Sequence, residues 1–211
     1  YARVKLKIKP GRDVEMLAGL RERFPDTLFM ADANSAYRLE DSDRLREMDA
    51  LNLTMIEQPL RYDDFLEHAR LQERIETPVC LDESIKGEGD LALALELGSC
   101  RIVNIKPGRV GGFGVSSRIH DTMRAAGLPV WCGGMLESGV GRAHNLALAS
   151  LPGFTLPGDI SASQRYWSQD IVTPEFEVED GVMKVPTGPG LGVELDLDRI
   201  HGLTVREAEF G

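Results

Sequence analysis

The stretch VKLKIKPG, residues 4–11, alternates apolar and cationic side chains before a proline and a glycine. Val4, Leu6 and Ile8 fall on one face of a strand, and Lys5, Lys7 and Lys9 on the other. On a surface sheet such lysines are simply solvated. Inside a barrel they line its mouth. The strands that follow decide between the two.

Apolar runs recur at TLFMADAN (27–34), LTMIEQP (53–59), TPVCLDES (77–84), CRIVNIKPG (100–108), LPVWCGGM (128–135) and FTLPGD (154–159). Between them lie stretches of helical periodicity, 14–24, 39–51, 63–75, 88–98, 116–127 and 141–153. Seven strands alternating with helices imply a parallel arrangement joined by crossover helices. Two architectures fit, an open doubly wound sheet and a (β/α) barrel. The open sheet normally carries a glycine-rich phosphate turn after its first strand, whereas KPGRD (9–13) has a single glycine.

The charges favour the barrel. Asp32 ends FMAD, Glu57 ends TMIE, Asp82 ends VCLD and Lys106 ends VNIK, at spacings of 25, 25 and 24 residues. The C-terminal strand ends of a barrel converge on one mouth. Along an open sheet the same groups would be strung out at about 5 Å per strand. Parity puts Asp32 with Met30, Glu57 with Met55, Asp82 with Cys80 and Lys106 with Asn104, while Ile56, Leu81 and Ile105 face the helices. By the same rule Val4, Leu6 and Ile8 face helices, and Lys5 and Lys7 point inward. Lys9, last before Pro10, reads as a solvated loop residue.

Three carboxylates brought to one point repel unless a cation sits among them. Oxygen ligands of this kind suit Mg²⁺ or Mn²⁺. No His or Cys occupies a comparable strand end, which disfavours zinc. Helix capping is the plainer role for any one acid. Lys7 and Lys106, on opposite sides of the mouth, suit removing a proton from one face of a carbon and returning one to the other. A nearby dication and a second ammonium should make Lys5 and Lys7 easier to deprotonate. The metal would hold a substrate carboxylate and stabilise the enediolate formed on proton loss.

Composition is that of an ordinary soluble globular protein. The net charge of −10 argues against nucleic acid and anionic membranes as partners, without excluding an anionic small molecule. No apolar run approaches the roughly 20 residues of a membrane span. The charged opening strand is unlike a signal peptide. Cys80, Cys100 and Cys132 read as reduced core residues, so a cytoplasmic location is expected.

The chain resembles the enolase superfamily in its muconate-lactonizing-enzyme-like branch. The motifs are K-x-K at Lys5–Lys7, DAN from Asp32, EQP from Glu57, DES from Asp82, NIKPGRVGG (104–112), WCGGMLESG (131–139) and PTGPGLGV (186–193). It is most similar to the N-acylamino acid racemase and o-succinylbenzoate synthase subfamily, with places in amino acid metabolism or menaquinone biosynthesis. The resemblance implies Mg²⁺ on Asp32, Glu57 and Asp82, and Lys7 and Lys106 as the acid/base pair. It implies substrate contacts from Lys5 and Asn34 and a side-chain pocket at Gly134 and Met135. Arg109 would act on Lys106 from behind. Glu83, Glu137 and Asp159 are candidates for orienting site groups or for purely structural roles. Muconate-type cycloisomerisation and dipeptide epimerisation are the alternatives within the branch, although no D-x-D stands near Asp159. A Schiff-base aldolase using Lys106 and an inactive metal-binding barrel fragment are readings of a different class.

The expected fold is a modified (β/α)7β barrel, residues 1–172, followed by a segment, 173–211, that returns toward an N-terminal α+β capping domain. Neither that domain nor the first barrel strand is recognisable before Tyr1. The chain therefore reads as one piece of a longer polypeptide, homo-oligomeric when full length, acting on a small-molecule carboxylate.

Overall fold

The computed structural model describes residues 1–209. Phe210 and Gly211, the end of the expected C-terminal segment, lie outside the described residues. Six short strands form one parallel sheet: β1 (Val4–Lys7), β2 (Phe29–Asp32), β3 (Ile56–Glu57), β4 (Val79–Leu81), β5 (Ile102–Ile105) and β6 (Val130–Cys132). They lie side by side in chain order, each parallel to the next. The helices between them are α1 (Val14–Arg23), α2 (Ser42–Arg46), α3 (Phe65–Gln72), α4 (Glu88–Leu97), α5 (Pro107–Val110), α6 (Phe113–Ala125) and α7 (Gly139–Ala149). The sheet makes most of a barrel wall, as the strand–helix rhythm predicts.

Local chemistry starts and stops these elements. Asp13 and Asp64 cap α1 and α3 by accepting from Val14 N and Glu67 N, each at 2.8 Å. Gly98, at φ +71°, ends α4 in the left-handed conformation that costs glycine little. Pro107 opens α5 and holds the preceding Lys106 extended, at φ −121° and ψ 106°. Lys106 therefore keeps the facing of Ile102 and Asn104.

The expected parity holds on both faces of the sheet. Ile8, Ala31, Ile56, Leu81, Val103, Ile105 and Val130 pack outward against Leu17, Leu71, Leu91, Ile119 and Leu148 of the helices. Met30, Met55, Cys80, Ile102 and Trp131 form a separate inner cluster. Trp131 Nε1 donates to Cys80 Sγ at 3.3 Å, so the one polar atom of that layer is satisfied. All three cysteines are free and buried.

Two expectations need correction. FTLPGD forms no strand, and its link to β6 is the bond from Asp159 N to Cys132 O, 3.2 Å. Pro157 has no N–H for a ladder, and Gly158 weakens an extended run. The stretch 39–51 is not one helix but a 3₁₀ turn (Leu39–Asp41), α2, and a second 3₁₀ stretch (Glu47–Leu51). Its short polar side chains bond elsewhere: Asp49 accepts from Glu76 N and Thr77 N, at 3.0 and 2.8 Å.

Beyond α7 the chain forms a two-stranded antiparallel ribbon of β7 (Val172–Thr173) and β8 (Glu194–Leu195), then α8 (Leu197–Leu203). Val172 and Phe176 pack on Ala143 and Leu146 of α7. A buried ion pair anchors this region. Asp170 meets Arg142 at 2.9 Å and accepts from Ser163 Oγ (2.6 Å), Gly139 N (2.7 Å) and Ile171 N (2.7 Å). Burial would raise the Asp170 carboxyl, but these donors hold it below the ordinary aspartate value. Its contribution to stability is therefore complete above the unfolded value of about 4 and fades as pH falls through the lower folded value. Asp170→Ala strands the Arg142 guanidinium in the interior and should cost about 3–5 kcal/mol. Denaturant unfolding of the intact protein checks this, and a loss under 1 kcal/mol would contradict it.

Candidate active site

The strand ends carry a row of charges whose spacing follows from the register. Lys7 pairs with Asp32 across β1 and β2, and Asp32 with Glu57 across β2 and β3. Glu57 pairs with Cys80, so Asp82 stands two residues further along, beyond the end of β4. Asp32, Glu57 and Asp82 are all buried, Glu57 completely.

Each acid is held by cationic or amide donors. Lys7 Nζ donates to Asp32 Oδ2 at 2.7 Å and to Asn34 Oδ1 at 2.5 Å. Lys5 Nζ lies 3.6 Å from Asp32, 3.5 Å from Glu57 and 2.7 Å from Asp159. Asn104 Nδ2 donates to Glu57 Oε1 at 2.8 Å. Lys106 Nζ donates to Asp82 Oδ2 at 2.7 Å, and Arg109 occupies Asp82 Oδ1. The two candidate bases thus sit at β1 and just after β5, with β2, β3 and β4 between them.

The loops after the strands are built for this closeness. Asn34, at φ +41°, turns the chain out of β2, a conformation asparagine tolerates. Its Nδ2 donates to Glu83 Oε1 at 3.0 Å, which joins the turns after β2 and β4. Gly133, just beyond β6, approaches so near that a Cβ there would collide with Asn104 and with the Lys106 side chain.

Electrostatics separates the groups. Burial and the Asp32 carboxylate push the Glu57 carboxyl up to about 7, against the pull of Lys5 and Asn104. Burial alone would lower the Lys5 ammonium, but Glu57 and Asp159 outweigh it and hold Lys5 above the ordinary lysine value. That direction reflects the neighbouring acids, whereas the easing expected of Lys5 requires a dication beside it. Burial draws Arg109 down to about 10, which leaves it cationic at neutral pH.

Lys7 is 64% exposed, so it rims the mouth and is not enclosed by it. Lys9 is exposed in its turn, as expected. Arg109 donates to Ile85 O at 2.7 Å and to Asn104 O at 2.5 Å, and it reaches Lys106 through their shared Asp82. Met135 is half exposed, with its N–H on Glu137 Oε1, and Gly134 N is tied to Asp159. A cavity of about 400 Å³ lies in the C-terminal segment, lined by residues such as Phe176, Met183 and Val193, and none of the strand-end charges lines it.

Among the described residues, no three acidic, histidine or cysteine side chains already converge as a cation site. The carboxylates turn instead to Lys7, Lys5, Lys106 and Arg109. The donor set nevertheless suits a hard dication. Three carboxylates stand on adjacent strands, and Glu57 Oε2 is buried without a hydrogen bond among the described residues. Such a buried oxygen, which faces the Lys5 ammonium at 3.5 Å without hydrogen-bonding to it, is better satisfied by a directly bound cation.

Gln58 and Asn104 were not assigned site roles from the sequence. For Asn104 the signal was present, since it shares the inward face of Lys106. Gln58 is defined only by contacts across the fold, and Asp159, a candidate orienting residue, meets Lys5 and Gly134 N.

A family model described as enolase C-terminal domain-like matches residues 1–199. The chain is 56% identical over 204 residues to a protein of Geobacillus stearothermophilus named o-succinylbenzoate synthase, covering 97% of this chain and 54% of that one. It is 54% identical over 205 residues to a Thermus thermophilus protein named N-succinylamino acid racemase, covering 97% and 56%. A crystal structure of an enolase superfamily member from Listeria innocua superposes with a TM-score of 0.92 at 50% identity, covering 96% of this chain and 54% of that one. The chain thus spans about half the length of the relatives it matches.

Proposed function

Because the chain belongs to the enolase C-terminal domain-like family, we propose that it carries the catalytic barrel of an enzyme that removes the proton next to a substrate carboxylate. The reaction is racemisation of an N-acylamino acid, formation of o-succinylbenzoate by loss of water, or both. The observation that carries this reading is the row of three buried acids with a lysine held at each end, Lys7 on Asp32 and Lys106 on Asp82. Relatives bearing each of the two names match almost equally well, which supports a site able to do both.

Asp32, Glu57 and Asp82 would hold the Mg²⁺. When bound, it supplies the positive charge that a carboxylate needs as its α-carbon loses a proton. Once these acids turn to a cation, Lys7 and Lys106 lose their present partners and face the substrate. In racemisation one lysine takes the α-proton and the other delivers a proton to the opposite face. In the dehydration one lysine takes the α-proton and returns it to the departing hydroxyl, so water leaves. Lys5, paired with Asp159 at 2.7 Å, is the charge that receives the substrate carboxylate. Asn34, between Lys7 and Glu83, is placed to contact the substrate, and Gly134 and Met135 border its side chain.

The test is α-proton exchange in D₂O with the intact protein and an N-succinylamino acid. Exchange and racemisation are expected with Mg²⁺ present and are expected to stop on chelation. Absence of exchange, together with no o-succinylbenzoate formation by the Mg²⁺-loaded protein, would overturn the proposal.

A further inference from the structure

Gln58 follows Glu57 and is completely buried, an uncommon place for a primary amide. It lies at φ +42°, so the chain turns sharply at the end of β3. Its Oε1 accepts from two backbone donors of the next loop, Asp82 N at 3.0 Å and Ser84 N at 3.2 Å. Only an oxygen can accept from both, which fixes the orientation of the amide. Its Nε2 donates to Ser84 Oγ at 2.8 Å and reaches Leu60 O at 3.3 Å. Its own N–H donates to Cys80 O at 2.8 Å. One side chain therefore bridges the turn after β3 to the turn after β4.

The far side of this bridge is itself anchored. His68 of α3 is completely buried and accepts from Leu60 N through Nε2 at 3.2 Å, while its Nδ1 meets Asp64 O at 2.6 Å. That pairing defines the tautomer, with the proton on Nδ1. The turn carrying Gln58 is thus fastened to a helix, and Gln58 fastens Asp82 to the turn.

We infer that Gln58 is a positioning residue that sets the separation of the Glu57 and Asp82 carboxylates and so tunes divalent-cation affinity. Glu57 is its chain neighbour, and the backbone of Asp82 hangs on its Oε1. No short backbone ladder does this work, because β3 is two residues long and its pairing to β4 stops at Cys80. Asp82 lies past the last ladder pair. The inference rests on the cation site proposed above, and its consequence is specific to metal affinity. Loss of an outer hydrogen-bond partner typically weakens metal binding about 10–100-fold.

The experiment measures Mn²⁺ binding to the intact protein by calorimetry or by the paramagnetic signal of free Mn²⁺, with no substrate present. Gln58→Met keeps the volume and removes every side-chain hydrogen bond. Its Mn²⁺ dissociation constant is expected to rise about 10-fold or more, with kcat at saturating metal changed far less. Amide exchange at Asp82 and Ser84 should quicken in parallel. Gln58→Asn, which tolerates the positive φ, is the variant to use if the methionine protein does not fold. Its amide falls one methylene short of both N–H groups, so metal affinity should fall several-fold. A purely structural role would lower the melting temperature and leave the metal affinity of the folded protein intact; that result, or wild-type affinity in a folded variant, overturns the inference. If the wild-type protein binds no divalent cation, the proposed function fails instead, and the two failures are distinct.

Discussion

Lys106→Ala is expected to lower racemisation of an N-acylamino acid by about 10²–10⁴-fold, the usual worth of a positioned acid/base group. Lys7→Ala should do the same. The reason is geometric: Lys7 ends β1 and Lys106 follows β5, with three strands between them. Neither can reach across to do the other's work. Each single variant should still exchange the α-proton of one enantiomer with solvent, because the remaining lysine serves its own face. Deuterium incorporation into each enantiomer, followed by NMR, gives this signature. Exchange of both enantiomers at the wild-type rate in either variant would end the two-base assignment. Borohydride should trap no substrate on Lys106, which separates this chemistry from an aldolase.

The second large effect concerns the acids. Glu57→Gln keeps the shape and the contact with Asn104 but removes the buried charge. Metal binding should weaken at least about 100-fold, more than the loss of an outer partner brings about, and turnover should vanish with it. Asp82→Ala should be as severe for binding and worse for structure, since Lys106 and Arg109 both lose their carboxylate. Leaving such charges without a partner costs about 3–5 kcal/mol when they are buried. Lys106 and Arg109 are only partly so, and the cost should be smaller. Calorimetric Mg²⁺ titration of the intact protein, with thermal unfolding of each variant, separates the two contributions. Wild-type-like metal affinity in Asp82→Ala would remove it from the ligand set.

Much of this molecule is legible in its sequence, because a parallel strand has a period of two and its crossover a period near 3.6. Those two periods place Ile56, Leu81 and Ile105 toward the helices and Asp32, Glu57 and Asp82 inward with no knowledge of the fold. Lysines in VKLKIKPG follow the same parity, and Pro107 extends it to Lys106. A residue's facing is a local property, so local chemistry suffices to read it.

What a charge meets is another matter. That Lys5 has Asp159 at 2.7 Å depends on bringing residues 154 positions apart to the same rim. That Lys5 is held cationic follows from those neighbours. Gln58 in EQP looks like a connector in one dimension, and only the return of the next strand puts two N–H groups on its oxygen. FTLPGD has the apolar start of a strand, yet its proline and glycine leave it one bond to β6. The sequence alone thus determined the alternation of the first six strands with helices, the facing of their residues and the identity of the strand-end charges. The tertiary structure decided the partners, because hydrogen bonds and desolvation act over a few ångströms in space and are blind to distance along the chain.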